Sequence, residues 1–522
     1  MVKHEPLEKD STPDPTLNDS LVVEMTSPSS ESLDDLSPLI VNGGSSAAND
    51  GVAVPLSNRP KPTWFRQMSR DLSEGWATHI GSIGYLGSVS IAVNSLTGPA
   101  MLNLPDTFQR AGLIPTTLTL IFVAVLSSLC CLHMSNTISK VTGNSSFRKE
   151  IEYSEAFEAF WGHKSFIATQ ILFFLCISCL NISSIVDTAQ VVDTFLGHWF
   201  PGGSAALYMY WEDGPHFEFI RWSFHSCSRD TLKAGDCVPF ADDDDVGHHF
   251  TIGYVMCVLV FLPMALMDLK ENAAWQVLGF AVLLVCSLIF VIIFILEGLN
   301  TDYISLWGTS WNTLFGVILF NYALVLAVPA WLYEKEPTVD VPKVVNGSAV
   351  LSTILYVLIG GLGAMTMPHA SQNMLESMMS GTFGITMQIC ASVFAFFIVG
   401  LGIPLFCVLK RMNLTGRNLL SRNKANLFAV YLPFAISWLF YTGDWVTQLL
   451  SWGGMVFTSL VAFILPVLIA LHTLDETDEL GSVLVYGRFD LKEKSSQAIA
   501  LKVLLVLSVL ASIAALIGNV LG

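Results

Sequence analysis

Asn94, Ser95, Thr97, Gly98, Pro99, Asn103 and Pro105 crowd into one short part of an otherwise apolar run. Between Gly81 and Pro105 no residue is charged. About 25 residues make about 37 Å of helix at 1.5 Å per residue, enough to cross a bilayer. Pro99 and Pro105 each lack an N–H and clash with the preceding turn, costing about 3 kcal/mol apiece in an ordinary helix interior. Each also turns the residue before it, Gly98 or Leu104, away from helical dihedrals. In lipid, backbone groups freed in this way are tolerated only where protein or a watery cavity satisfies them. The chemistry on offer is recognition, with loosened peptide groups and half-helix ends holding a solute or ion near mid-membrane. A proline-kinked packing helix, with Gly98 admitting a close neighbour, accounts for the same residues without a ligand.

Few other residues offer chemistry. Asp187, in "SSIVDTAQVVD", is the candidate proton-coupling group, because a carboxyl inside a span is expensive and commonly functional. The plainer account places it near the outer end of its span, within reach of water. His133 is a weaker candidate. Cys227 and Cys237 lie in a polar loop and are the candidate disulfide if that loop faces an oxidising compartment. The other cysteines sit in apolar spans as small packing residues. "DDDDVGHH", with His248 and His249, reads as a hydrated acidic run, and no metal is expected. Within the spans no His, Asp or Glu constellation is spaced for catalysis, so neither an enzyme nor a cofactor is expected. No selectivity-filter sequence or charged pore ring points to a channel.

The elements that must position these residues are membrane spans. Of 522 residues 52% are hydrophobic and 13% charged, whereas a soluble chain carries about a quarter charged residues. Eleven stretches are long and apolar enough to cross, at roughly 82–108, 113–137, 166–195, 251–268, 274–297, 312–332, 347–367, 383–408, 425–442, 446–472 and 499–521. The expected fold is an all-α polytopic membrane protein with eleven transmembrane helices and the lipid bilayer as partner. The net charge of −17 is local, concentrated in the N-terminal tail and in Asp242 to Asp245, and no basic patch suits nucleic acid. Residues 1–75 are rich in Ser, Pro, Asp, Glu and Gly, cannot bury enough apolar surface to order, and read as a disordered tail. With no apolar h-region, the tail is not a signal peptide.

Residues 76–522 form the transmembrane domain, with a long loop at 196–250. Lys and Arg fall overwhelmingly on the side of the tail, Lys410 and Arg411 among them, while the other side holds Arg110, Arg221, Arg229 and Lys233. The N-terminus is therefore expected to be cytoplasmic and the C-terminus lumenal or extracellular. The glycosylation sequons, including those at Asn144 and Asn413, then lie in cytoplasmic loops or spans and carry no sugar, and loop 196–250 contains no Asn.

The first span carries a resemblance. N-x-x-x-G-x-x-x-L-x-L-P-x-x-F-x-x-A-G, read at Asn94, Gly98, Leu102, Leu104, Pro105, Phe108, Ala111 and Gly112, resembles the first helix of the amino acid/auxin permease family. That family belongs to the amino acid–polyamine–organocation superfamily. "EYSEAFEAFWG", "FLPMALMDLKENAAWQVLGF", "FGVILFNYALVLAVPAWLYEKEPTVDVPKV" and "IPLFCVLKRMN" resemble later parts of it more loosely. The resemblance implies a 5+5 inverted repeat of the leucine-transporter type plus one C-terminal helix, with helices 1 and 6 broken and the site between them. By position, the substrate-binding candidates are Asn94, Ser95, Thr97, Gly98 and Ala100 at the first break, and Phe320, Asn321 and Tyr322 at the second. In such proteins the substrate carboxylate meets N–H groups of the first break and its amino group meets carbonyls of both.

Two departures qualify this. Many family members have G-x-G where this chain has Gly98, Pro99 and Ala100, which removes one N–H and narrows the backbone approach. Sodium-coupled members carry a Thr two residues before the eighth-helix proline, where this chain has Gly402 before Pro404. The implied function is secondary active transport of an amino acid or related small solute by alternating access, proton-coupled or facilitative. The alternative is a nutrient sensor or scaffold that keeps the transporter fold. In the tail, "DDLSPLI" sets Asp35 four residues before Leu39 and Ile40 and resembles an acidic dileucine signal for a sorting adaptor. It points to an endolysosomal or vacuolar membrane; without it the plasma membrane is the default. Replacing Leu39 and Ile40 together by Ala is expected to move the protein toward the cell surface, and surface biotinylation measures the change.

Overall fold

The computed structural model describes residues 82–97, 99–210, 216–223, 239–240, 247–370, 373–379, 383–441, 455–476, 481–486 and 493–521. The chain divides into Met1–Lys61 and Pro62–Gly522, and every described residue belongs to the second unit. Asp35, Leu39, Ile40, Gly98, Cys227, Cys237 and Asp242 to Asp245 lie outside the described residues.

The first span is interrupted. Helix α1 (Tyr85–Leu96) ends short of the first proline, a 3-10 turn occupies Pro99–Asn103, and α2 (Leu104–Ala111) resumes with Pro105 in its first turn. Proline is tolerated there because the first N–H groups of a helix have no partner within it. Gly112, at φ 93°, turns the chain into α3 (Leu113–Ser139), and a Cβ there would stand 2.4 Å from Gly308 N. Glu152 and Glu155 form a capping box at the start of α4 (Tyr153–Trp161), and α5 (His163–Trp199) follows.

The all-α expectation needs correction within loop 196–250. Strands β1 (Ser204–Tyr210), β2 (His216–Trp222) and β3 (His248–Thr251) form an antiparallel sheet in the order β2-β1-β3. Ala206 pairs with both Ile220 and Thr251. Ala206 and Tyr208 are buried while Leu207 is exposed, the period-2 alternation of a half-buried strand. A window tuned to 20-residue spans passes over strands this short.

The sheet is fastened to the helices by one carboxylate. Asp193, near the end of α5, accepts hydrogen bonds from Ser204 Oγ, from Gly253 N at 2.8 Å and from Tyr441 Oη at 2.6 Å. Gly253 opens α6 (Ile252–Ala265), whose N-cap Thr251 accepts from Tyr254 N.

Helix α7 (Leu269–Glu297) begins with a capping box of Asp268 and Glu271. The sixth expected span is broken like the first: α8 (Leu314–Asn321), a 3-10 turn at Leu324–Leu326, then α9 (Val328–Glu334). Helix α10 (Val341–Thr366) and the short α11 (Met374–Met379) follow. Three later stretches each contain a π-helical turn. Ala395–Val399 joins α12 (Gly384–Phe394) to α13 (Gly400–Thr415). Leu427–Tyr431 joins α14 (Arg422–Asn426) to α15 (Leu432–Ser437). Ser459–Ile464 joins α16 (Met455–Thr458) to α17 (Leu465–Glu476). The last helix is α18 (Lys494–Leu521).

Among the described residues eight helical stretches are long and apolar enough to cross a membrane, and α1 and α6 are shorter apolar helices. The broken Leu314–Glu334 stretch is the most enclosed, 89% buried over its most apolar window, against 33% for Lys494–Gly518. The broken segment therefore lies inside the helix packing and α18 presents much of its surface outward.

Two features concern charge. Ile83 N donates to Glu334 O at 2.8 Å and Glu336 N to Ile83 O at 2.9 Å, joining the entrance of α1 to the end of α9. Lys270 pairs with Glu334 at 2.8 Å and brings in the start of α7. Lys410 and Arg411, expected among exposed loop cations, are instead 0% and 4% exposed. The cause is length: α13 runs on to Thr415 and carries both into the packing. Arg411 donates to Ala265 O at 3.0 Å and to Met267 O, beside an Asp268 carboxylate it shares with Arg422.

A Cβ on Gly253 would fall 2.3 Å from Ala189 O and 2.5 Å from Asp193 Oδ2. Gly253→Ala is therefore expected to destabilise the protein by about 1–3 kcal/mol through overpacking, read as a lower thermal unfolding midpoint in detergent.

Candidate functional site

The two interruptions meet, and one side chain joins them. Tyr356 of α10 is fully buried. Its hydroxyl contacts Leu96 O, at the end of α1, and lies 3.4 Å from Asn321 O, at the end of α8. These carbonyls belong to helix C-terminal ends, where the last C=O groups have no partner within the helix. The next carbonyl, Tyr322 O, accepts from Ser127 Oγ of α3 at 2.7 Å. The Tyr322 and Tyr356 rings pack edge to face at 5.5 Å, and Tyr322 Oη reaches Thr353 Oγ1 at 2.6 Å.

Beside this junction is a narrow hollow, with room for about one water molecule. Ser95 and Leu96 line it from the first break, Phe320, Asn321, Ala323, Leu326 and Ala327 from the second, Leu180 from α5, and Phe406 and Leu409 from α13. No charged side chain lines it. Asn321 donates Nδ2 to Val317 O at 3.1 Å, which leaves Oδ1 a buried acceptor without a donor.

The residues expected from sequence divide. Ser95, Phe320 and Asn321 are brought together at the hollow. Asn94 faces elsewhere: Nδ2 donates to Gln276 O and Gln276 Oε1, both at 2.8 Å, and Gln276 Nε2 passes on to Asn272 Oδ1 and Leu401 O. Asn94 thus ties α1 to α7 and α13. Thr97 is buried and donates to its own helix at Val93 O, 3.0 Å away. Tyr322 turns its hydroxyl to α10. Ala100 falls in the 3-10 turn. Asp187 is half-buried, accepts from Ser183 Oγ at 3.0 Å and follows Leu180 by seven residues along α5. His133 is removed from the hollow and meets Tyr486 Oη at 3.0 Å.

Tyr356, Ser127, Leu180, Phe406 and Leu409 had not been singled out. Of these only Tyr356 leaves a sequence signal, as a phenol in mid-span that needs a polar partner once buried. Tyr356→Phe removes the donor from two buried carbonyls, which costs about 1–3 kcal/mol. The variant is expected to unfold at lower temperature than the parent in the same detergent, by differential scanning fluorimetry.

Comparison with known proteins bears on the fold. Residues 81–209, which include the first break and all of α5, match the family model described as transmembrane amino acid transporter protein. No curated protein sequence matches the chain. Among solved structures, the crystal structure of MhsT in complex with L-phenylalanine is similar over 83% of this chain and 100% of MhsT. The TM-score is 0.54 and the sequence identity 11%, so the likeness is one of fold. Through residues 81–209 the chain is similar to the transmembrane amino acid transporter proteins, as the Asn94-to-Gly112 pattern implied, and it shares its fold with MhsT.

Proposed function

We propose that the protein is a secondary transporter of an amino acid or close relative, working by alternating access and coupled to protons or facilitative. The observation that carries this reading is the meeting of two broken helices at Tyr356 beside a lined hollow. Helix ends and unwound backbone are where such folds hold cargo. The carbonyls at the junction keep a second lone pair each, and Asn321 Oδ1 is a free acceptor, so a substrate amino group has acceptors to meet. A wall of Leu96, Leu180, Phe320, Leu326, Phe406 and Leu409 favours a neutral side chain. MhsT with its bound L-phenylalanine makes that amino acid the first to try.

The same reading takes the eleven stretches as spans, the first five and next five as inverted repeats, and the N-terminus as cytoplasmic. It keeps Gly98 and Ala100 at the first break. Asp187 is the proton-coupling candidate on the outer side of the hollow. Coupling to sodium is not favoured: Gly402 stands where a hydroxyl would be needed, and Leu401 O already accepts from Gln276 Nε2 at 3.0 Å. The sensor alternative draws on Pro99, which cannot offer an N–H to a carboxylate.

The test is uptake into proteoliposomes of a panel of radiolabelled L-amino acids, with and without an imposed pH gradient. Flux of at least one is expected, and its absence across the panel under both conditions would favour the sensor. Gly98→Leu is expected to abolish that flux while the protein still reaches its membrane and elutes as a single species. Normal flux in that variant would reduce the break to a kink.

A further inference from the structure

Lys410 of α13 is 0% exposed. Its Nζ has no hydrogen-bond partner, and no carboxylate pairs with it among the described residues. It lies over the Phe174 ring of α5, 5.8 Å from the ring centre. An ammonium placed so has nothing to replace its lost hydration.

The seam between α5 and α13 is pinned on both sides of Lys410. Asn181 Nδ2 donates to Cys407 Sγ at 3.1 Å, and Gln170 Nε2 to Asn413 O at 3.2 Å. Gln170, Phe174, Ser178 and Asn181 follow one another at helical spacing along a single stripe of α5. On that stripe Gln170 Oε1, Ser178 Oγ and Asn181 Oδ1 are buried without partners among the described residues, and so is Asn413 Nδ2 across the seam. Beyond Asn413, whose Oδ1 accepts from Ser154 N at 3.3 Å, comes Glu152, 2% exposed and with Oε1 unpartnered. Burial first, then the carboxylates of Glu150, Glu155 and Glu334, hold Glu152 above the usual carboxylate range.

The chemistry of this cluster selects its ligand. An ammonium carries three donors, and the stripe presents three acceptors lacking donors. A small anion would meet those oxygens, and a divalent cation would want carboxylates. Buried polar atoms left in a row are ordinarily satisfied by water. The titratable groups that bear on Lys410 are the Cys407 and Cys179 thiols. Of the other charged groups on or against α13, Arg411 is turned to Ala265 O and Met267 O, and Arg422 to Asp268. Lys424 lies on α14, and Cys257 on α6 is buried.

We propose that the α5–α13 seam is a hydrated proton site, in which the Lys410 amine, rather than the Asp187 carboxyl, takes up and releases the coupling proton, exchanging with the cytoplasm past Asn413 and Glu152. The proton passes from hydronium to the Nζ lone pair and back to water, and no other bond changes. Leu409 and Leu180, which line the hollow, adjoin Lys410 and Asn181 in sequence, so the same two helices carry the seam and part of the hollow wall. The inference rests on the proton-coupled form of the proposed function.

The test uses the full chain in proteoliposomes and a 14C-labelled mixture of L-amino acids. One coupled proton supports about ten-fold accumulation across one pH unit. Lys410→Met, and Lys410→Arg with its permanent charge, are expected to lose that accumulation while exchange against preloaded unlabelled mixture stays within about two-fold of the parent. A parental response to the gradient in Lys410→Met overturns the proposal. So does an equal loss of exchange and accumulation in both variants while each elutes as a single species. If the parent moves no amino acid, the transport reading has failed, and the seam is tested by radiolytic labelling in 18O water. Labelling of Phe174 and Cys407 that Lys410→Met alters supports the hydrated site, and dry, unlabelled side chains overturn it.

Discussion

One hydroxyl carries an unusual share of this structure. Two helices end in mid-packing, each with carbonyls that its own turns cannot satisfy, and no lipid could satisfy them either. Tyr356 meets that need from α10, reaching Leu96 O and Asn321 O together, while Ser127 covers Tyr322 O from α3. The interruptions therefore persist because a third and a fourth helix stand where water would otherwise be required. The side of the junction left without such cover is the side lined by Ser95, Phe320 and Asn321.

The first break could be read from the sequence because its cause is local. Pro99 and Pro105 impose it whatever surrounds them. The second break has neither glycine nor a proline before Val328, and only resemblance placed it near Asn321. Its cause is tertiary, in the hydroxyls of Ser127 and Tyr356, which lie far away in the chain. The same distinction explains Asn94, whose place in the first span was legible but whose partner, Gln276, belongs to α7. The sheet in loop 196–250 escaped a reading tuned to long apolar runs. The burial of Lys410 and Arg411 was not legible, because positive residues near a span end ordinarily reach water, and only the length of α13 reveals that these two do not.

Polar groups inside the helix packing fall into two kinds. Asp193 has donors from β1, α6 and the residue Tyr441, and the Asn94–Gln276–Leu401 chain hands hydrogen bonds across three helices. Sets linked in this way rigidify what they join. Lys410, Ser178 and one end each of Gln170 and Asn181 are left without partners in one seam.

The backbone bridge at Ile83 has a mechanical side. The chain preceding α1 enters the helix packing at the residue whose N–H and C=O grip Glu334 and Glu336, and Lys270 braces the same Glu334. A pull or a bound weight on the preceding chain is thus delivered to the free end of α9 without passing through α1. Leverage on one half of the second broken helix is available about two turns away from the hollow it borders.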